Sequence, residues 1–284
     1  MNALVEELSH YPLRTVSVAG RVQAYREAGQ GPALVLLHGI SSGSGAWVNQ
    51  LAALSPYFRV IAWDAPGYGS SECLANPEPR ALDYAQALHA FLQVLGVNQP
   101  LLLGHSLGAM MASAYAQAFP QNYAGLILAN PAQGYGAADA KTQAQVAQQR
   151  PQLLRTLGHA GMATERAPYL LAPQAEASKV ALVAYSMLQL QQQGFEQASQ
   201  VLAHDDIWQA LPAVTGANIG VIYGLEDGIT PPAGVDALIQ RLDPNVVAYP
   251  LEAAGHASYI DEPAAFNQAV LAYAQLINRI KEES

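Results

Sequence analysis

Short apolar runs alternate with amphipathic stretches along most of the chain. Continuous apolar runs that end in glycine or a turn residue predict strands buried on both faces. The intervening segments have the apolar spacing of helices. This alternation predicts an α/β fold, a mostly parallel central β-sheet flanked by helices, preceded by a hairpin at 15–29. The predicted strands are 33–39, 59–64, 101–105, 125–131, 219–224 and 245–251, and the predicted helices are 46–54, 80–95, 107–118, 232–241 and 262–281.

Residues 132–212 interrupt this alternation. The segment is rich in Ala and Gln and has several helical patterns but no convincing strand. We therefore predict a core domain formed by 1–131 and 213–284, with 132–212 inserted as a helical cap. Within it, apolar residues at helical spacing form one face of a helix, and this face either packs on the core or faces a pocket. Its residues are Val180, Val183, Ala184, Met187 and Leu188. The Gln-rich runs at 143–150 and 189–200 are predicted to be solvated helix faces.

Composition excludes several classes of function. The chain has 284 residues, of which 51% are hydrophobic, and its formal net charge is −9. Nucleic acids and anionic membranes attract clustered cations, so neither is an expected partner. No apolar run approaches the length of a membrane span, and the first residues lack the cationic start of a secretory signal. With Cys73 as the single cysteine, we expect a cytoplasmic protein without a disulfide, metal site or cofactor.

The chemistry centres on the pentapeptide Gly104-His105-Ser106-Leu107-Gly108, which follows an apolar strand and precedes a helical pattern. A serine at such a corner is held clear of the sheet at the N-terminus of a helix. The crowded corner requires small neighbours, which explains the two glycines. Ser106 is therefore a candidate nucleophile, and a nucleophilic serine needs a base and an acid to orient that base.

Two loops near the end of the chain offer these partners. Asp227 follows the strand 219–224, and His256 follows the strand 245–251. We predict His256 as the base and Asp227 as the acid, with Glu226 as the alternative acid because it is the adjacent residue. The order serine, acid, histidine along the chain is that of one known hydrolase architecture. The other aspartates considered are predicted to be surface residues or helix caps: Asp205, Asp206 and Asp261.

Backbone amides beside Ser106 could stabilise a developing oxyanion. Leu107 directly follows the serine, and Ile40 lies in the Gly- and Ser-rich loop 38–47 after the first buried strand. Both are predicted to contribute an N–H group to an oxyanion hole. His38 and His105 are predicted to shape their loops by hydrogen bonding rather than to transfer protons.

Together these motifs resemble the α/β-hydrolase superfamily over nearly the full length. The resemblance rests on His38-Gly39, WDAPGYGSS (63–71), GHSLG (104–108), Asp227 and His256. It implies that Ser106, His256 and Asp227 form a catalytic triad, that Ile40 and Leu107 carry the oxyanion amides, and that 132–212 is the cap. It also implies a structural role for Asp64 and no cofactor.

Within the superfamily, the loops 38–47 and 65–71 are similar to those of meta-cleavage-product hydrolases, which split carbon–carbon bonds. Those enzymes usually carry Asn where this chain has His105, which favours the broader esterase-like group. The expected function is hydrolysis of a small or medium-sized carboxylic ester through an acyl-enzyme. The alternatives are carbon–carbon bond hydrolysis and a non-catalytic pocket that binds a ligand.

Overall fold

The protein is built around a single twisted β-sheet. The computed structural model describes residues 3–211, 219–242 and 246–282, and within them the strand order is β1-β2-β4-β3-β5-β6-β7-β8. β1 and β2 form an antiparallel hairpin at one edge, whereas β3 to β8 run parallel to one another. The strands are β1 (Arg14–Val18), β2 (Arg21–Ala28), β3 (Ala33–Leu37), β4 (Arg59–Trp63), β5 (Leu101–His105), β6 (Gly125–Ala129), β7 (Ile219–Gly224) and β8 (Val247–Leu251).

Helices cover both faces of this sheet, which explains why every residue of β5, β6 and β7 is buried. The α/β fold is confirmed and each predicted strand is present, although four of them are one or two residues shorter than predicted and residue 245 lies outside the described residues. Among the described helices, none combines the length and the apolar character needed to cross a membrane. The helices are α1 (Ala3–Glu7), α2 (Val48–Leu54), α3 (Ala81–Val94), α4 (Leu107–Ala118), α5 (Ala140–Arg166), α6 (Ala177–Met187), α7 (Gln192–His204), α8 (Pro232–Arg241), α9 (Ser258–Asp261) and α10 (Pro263–Glu282).

The strand order creates a crevice where the site can form. The chain passes from β3 to β4 on one side and later returns to β5 on the other side of β3. Ligands of open α/β sheets bind at such a switch point, outside the carboxyl ends of the strands. Leu37 pairs with Gly104 in the β3–β5 register, so the loops that follow these strands begin side by side.

The segment between β6 and β7 forms α5, α6 and α7. α5 changes direction at Gly158, where φ is 64° and ψ is 177°. The predicted division into 132–212 and the two flanking core segments stays a prediction, and the predicted boundary at 212–213 lies outside the described residues.

The predicted apolar face of α6 is partly wrong. Val183 and Met187 are buried, but Leu188 is 51% exposed. With a rotation of 100° per residue about the helix axis, Leu188 lies nearly opposite the centre of the helix face that is buried in the structure, which forms a stripe along α6. That stripe consists of Leu182, Val183, Ser186 and Met187.

The prediction of solvated Gln-rich faces also needs correction. Gln197 of α7 is 1% exposed, and its side chain bonds the backbone of Leu74 and Asn76 in the core segment. An amide can satisfy both a carbonyl and an N–H group, so it joins two segments where an apolar side chain could not.

Asp205 and Asp206 cap helices, as predicted, although Asp205 is not on the surface. The Asp205 carboxylate is buried, pairs with Arg80 at 2.7 Å and accepts from the amide of Ala81 at the start of α3. Asp206 caps the short 3₁₀ helix Ile207–Gln209 through the amide of Trp208.

Candidate active site

Ser106 occupies a strained corner between β5 and α4. Its φ is 53° and its ψ is −116°, a conformation that costs a non-glycine residue on the order of 1–3 kcal/mol and that is concentrated at functional sites. Its amide donates to the carbonyl of Ala129 in β6 at 2.9 Å, which anchors the corner to the sheet. The side chain lies at the N-terminus of α4, where the helix dipole favours negative charge.

The two flanking glycines are required by close packing. A Cβ at Gly104 would lie 2.2 Å from the carbonyl oxygen of Gly108, and a Cβ at Gly108 would lie 2.2 Å from that of Leu37. Both distances are far below van der Waals contact. The absence of a Cβ at these two glycines therefore allows the first turn of α4 to pack against the ends of both β3 and β5.

His256 and Asp227 are hydrogen-bonded to each other. Nδ1 of His256 lies 2.9 Å from Oδ2 of Asp227, and the two side chains are 3% and 0% exposed. Asp227 follows β7 and His256 follows β8, so the pairing of these parallel strands brings the two loops together. The alternative acid, Glu226, is exposed to solvent.

Asp227 is surrounded by donors. Its Oδ1 accepts from the amides of Ile229 and Thr230 at 2.7 and 2.9 Å, and its Oδ2 accepts from the Thr230 hydroxyl at 2.6 Å. Burial acts to raise the pKa of Asp227. The hydrogen bond and charge of His256, together with the bonds from Thr230, outweigh burial and hold this pKa well below its ordinary value. The carboxylate is therefore ionised and oriented.

Asn130 is a part of this network that the sequence did not reveal. It is fully buried after β6, and its side-chain amide donates to Oδ2 of Asp227 at 2.8 Å. The hydroxyl of Ser258 donates to the side-chain oxygen Oδ1 of Asn130 at 2.5 Å. The sequence feature that could have indicated this role is that Asn130 directly follows β6, the neighbour of the strand β7 that precedes Asp227.

The two other histidines of the site hold loops in place, as predicted. Nε2 of His105 donates to the carbonyl of His256 at 2.8 Å. Nε2 of His38 accepts from the amide of Ala65 at 3.0 Å, so its Nδ1–H donates to the carbonyl of Gly39 at 2.8 Å. Burial lowers the pKa of His38, and burial together with the electrostatic interaction with the neighbouring His256 ring lowers the pKa of His105 to about 3. Both rings are neutral at pH 7.

The peptide group between Gly39 and Ile40 is fixed in one orientation. The Gly39 carbonyl accepts from His38 and from the amide of Ser42, and the Ile40 carbonyl accepts from the Tyr68 hydroxyl at 2.8 Å. In a trans peptide the N–H points opposite to the carbonyl, so the Ile40 N–H points away from His38. Leu107 begins α4, where amides have no partner within the helix. Both residues line the cavity that contains Ser106.

The prediction that Asp261 is a surface residue or helix cap is wrong. It is 2% exposed, and its Oδ2 accepts from the amides of Gly255 and Ala172, each at 2.8 Å. Burial raises its pKa. Asp261 therefore connects the loop that carries His256 to the segment between α5 and α6, a contact for which the sequence carries no signal.

A cavity of about 720 Å³ lies over these groups, and residues of α5, α6 and α7 contribute to its lining. Ser106 and His256 line its floor, while Val183, Met187 and Phe195 contribute apolar walls. The helix face on α6 therefore faces a pocket, the second of its two interpretations. A volume of this size suits a small organic ligand.

Ser106, His256, Ile40 and Leu107 line one cavity, and the Asp227 carboxylate is bonded to the His256 imidazole behind it. Such a set supports nucleophilic attack on a carbonyl carbon. The roles of Ser106, His256 and Asp227, and those of Ile40 and Leu107, stay predictions. Among the described residues, no group of three or more His, Cys, Asp or Glu side chains is arranged to hold a metal ion.

Comparisons with known proteins agree with this architecture. A family model described as alpha/beta hydrolase fold matches residues 32–263. A thermophilic esterase from Thermogutta terrifontis superposes with a TM-score of 0.82 at 22% identity, over 94% of this chain and 99% of the other, which shows the likeness of fold.

Two curated relatives represent two kinds of hydrolase. The 2-hydroxy-6-oxo-6-phenylhexa-2,4-dienoate hydrolase of Comamonas testosteroni is 35% identical over 117 residues, or 40% of this chain and 41% of the relative. The chain thus aligns with well under half the length of that relative. The 3-oxoadipate enol-lactonase 2 of Acinetobacter baylyi is 27% identical over 250 residues, or 87% of this chain and 90% of the relative.

Proposed function

The chain belongs to the α/β-hydrolase fold family, and on this premise we propose that it is a serine hydrolase that cleaves a small carboxylic ester, open-chain or cyclic. The observation that carries the proposal is the buried hydrogen bond between Asp227 and His256 beside the strained corner at Ser106. The length of the match to an enol-lactonase, which by its name acts on a cyclic ester, also supports ester cleavage.

The mechanism follows from the arrangement of these groups. The Ser106 hydroxyl attacks the ester carbonyl while Nε2 of His256 takes its proton, and Asp227 holds Nδ1 and stabilises the imidazolium. The amides of Ile40 and Leu107 stabilise the oxyanion. His256 then gives the proton to the leaving alcohol or enol. Water, deprotonated by His256, attacks the acyl-enzyme, and His256 returns the proton to the Ser106 oxygen as the acid is released.

Carbon–carbon bond hydrolysis is the second candidate, and the specific observation in its favour is the 35% identity to the dienoate hydrolase. The same serine, histidine and aspartate would serve that reaction. The presence of His105 where Asn is usual in that group favours ester cleavage. A purified sample that consumes a dienoate chromophore but leaves simple esters intact would establish this second candidate instead.

The test is hydrolysis of p-nitrophenyl acetate, butyrate and octanoate by the wild type and by Ser106→Ala. Ser55→Ala is a matched control, since its hydroxyl bonds only the Ala52 carbonyl at 3.2 Å. Ester turnover should fall at least about 10⁴-fold in Ser106→Ala and be unchanged in Ser55→Ala. A fluorophosphonate probe should label Ser106 in the wild type. Retained turnover in Ser106→Ala would contradict the proposal.

A further inference from the structure

Two cationic side chains line the cavity, and neither has an anionic partner among the residues that the structure describes. Arg150 and Arg166 both contribute to its wall, and none of the residues that line it is an aspartate or glutamate. In the described part of the chain, the arginines that form ion pairs all lie elsewhere: Arg14, Arg59, Arg80 and Arg155. The chain has 22 acidic and 13 basic residues, so unpaired arginines facing a cavity are not a result of surplus cations.

Both arginines belong to α5, on either side of its change of direction at Gly158. Arg150 is half-buried, whereas Arg166 is exposed at the C-terminal end of the helix, 5.5 Å from the centre of the Tyr169 ring. Burial lowers the pKa of Arg150, and the positive charge of Arg166 acts in the same direction against the opposing effect of Tyr135. Both guanidinium groups stay charged, because an arginine pKa remains far above neutrality.

Placing one such group inside a cavity, near a like charge, costs free energy unless an anion compensates it. A guanidinium fork matches the two oxygens of a carboxylate. From this geometry we propose that the substrate carries a carboxylate at the end remote from the bond that is cleaved, and that Arg150 binds it while Arg166 attracts it at the mouth. The proposal rests on the ester hydrolysis proposed above and specifies its substrate class.

The arrangement of elements supports this orientation. Ser106 reaches the cavity from the carboxyl end of β5, whereas Arg150 reaches it from α5, in the helical layer that covers the site. Apolar side chains such as Met187 and Phe195 line the cavity as well. A ligand that carries an acyl group, a short carbon chain and a carboxylate would find a partner for each of these parts among the residues that line the cavity.

The decisive experiment compares two esters that differ in whether the far carboxyl group is free or methylated, p-nitrophenyl hydrogen glutarate and methyl p-nitrophenyl glutarate, with the rate of each without enzyme subtracted. The wild type should prefer the charged ester by at least about tenfold in kcat/KM, equal to about 1.4 kcal/mol. Arg150→Gln should abolish this preference, so that the variant cleaves the charged ester and the methyl ester with equal kcat/KM. Arg150→Lys, which keeps the charge but not the fork, should retain part of the preference.

Arg155→Gln is the matched control on the same helix. Arg155 pairs with Glu196 on the exposed side and does not line the cavity, so the preference should be unchanged in this variant. Equal kcat/KM for the two esters in the wild type, or an undiminished preference in Arg150→Gln, would overturn the proposal.

Binding without turnover separates this proposal from the proposed reaction. Calorimetry on the wild type should show tighter binding of glutarate than of glutaramide, with the difference reduced by added salt and lost in Arg150→Gln. If esters are not cleaved but glutarate binds in this manner, the anion site stands and the ester hydrolase proposal fails. If esters are cleaved and the two compounds bind equally, the anion site fails alone. The wild-type comparison decides the question even if Arg150→Gln does not fold.

Discussion

The side-chain amide of Asn130 donates to Oδ2 of Asp227 at 2.8 Å, and the same oxygen lies 2.9 Å from Nδ1 of His256. Asn130 and Asp227 follow the adjacent parallel strands β6 and β7, so strand pairing sets the position of the carboxylate before any substrate arrives. Asn130 acts through Asp227 and is therefore a positioning residue.

Replacing Asn130 by Leu should lower kcat by about tenfold, because a lost hydrogen bond to a charged group is worth about 1.5–3 kcal/mol and only part of it affects the transition state. KM should stay unchanged, since Asn130 does not line the cavity. Steady-state kinetics with p-nitrophenyl butyrate measures both constants. A rise in KM at constant kcat would contradict the positioning role.

Asp227 and Glu226 form a pair of adjacent carboxylates with opposite exposure. Asp227→Asn should lower kcat by about 10⁴-fold, because an amide in this place favours the wrong tautomer of His256. Glu226→Gln should leave kcat unchanged, since Glu226 is exposed. Steady-state kinetics under identical conditions measures kcat for both variants. Similar losses in the two variants would show that either carboxylate can orient the histidine.

Gly108 gives a test of the packing at the serine corner. Alanine is the better helix former by about 1 kcal/mol, so propensity alone predicts that Gly108→Ala is stabilising. The clash of a Cβ with the Leu37 carbonyl at 2.2 Å should reverse this and destabilise the protein by about 1–3 kcal/mol.

Gly228→Ala is the control for this prediction, since a Cβ there meets nothing within 4 Å. Its stability in urea unfolding should stay within about 0.5 kcal/mol of the wild type. Equal stabilities of the Gly108 and Gly228 variants would mean that the corner relaxes around an added methyl group.

The buried, neutral His105 should make the fold sensitive to acid. Its pKa falls from 6.5 in the unfolded chain to about 3 in the folded protein. Between these values the unfolded state binds more protons, so the free energy of unfolding rises with pH in this window. The contribution of His105 to the free energy of unfolding is complete above pH 6.5 and is lost progressively as the pH falls towards 3.

His105→Asn should remove this contribution. The slope of unfolding free energy against pH, measured by urea titration between about pH 4.5 and 6, should fall by up to about 1.4 kcal/mol per pH unit. The comparison uses slopes, so a constant loss of stability in the variant does not affect it. An unchanged slope would show that His105 does not stay neutral in the folded protein. His38, whose pKa is also lowered by burial, should maintain part of the slope in both proteins.

The local sequence pattern was sufficient to predict the sheet and the strand-to-helix corner at Ser106. The strands are continuous apolar runs, and the glycines at 104 and 108 reflect a backbone contact that recurs wherever a chain makes this turn. The choice of Asp227 over Glu226 also followed from local geometry, because one residue of difference after a strand reverses the direction of the side chain.

Contacts between distant segments were not predictable in this way. Asp261 and Gln197 are polar residues in polar-looking segments, and their burial depends on backbone groups from elsewhere that need a partner. Arg150 lies in a Gln-rich run that suggests a solvated surface, and only the packing of α5 over the cavity reveals that it lines the site. Helical periodicity located a buried face on α6 but misjudged its centre.

The hydrogen bonds of Asp261 restrict how this protein could be recombined with its relatives. The amides of Gly255 and Ala172 share one carboxylate oxygen, and the Ala257 amide bonds the Leu170 carbonyl at 2.6 Å. A chimera that exchanges the helices between β6 and β7 would therefore have to keep 170–172. If the backbone of these residues took another course, the loop with His256 would lose its link through Asp261 to Ala172 and its bond to Leu170, and a graft intended to alter specificity would impair the chemistry instead. An exchange confined to the part of α5 before Gly158 would leave those bonds intact.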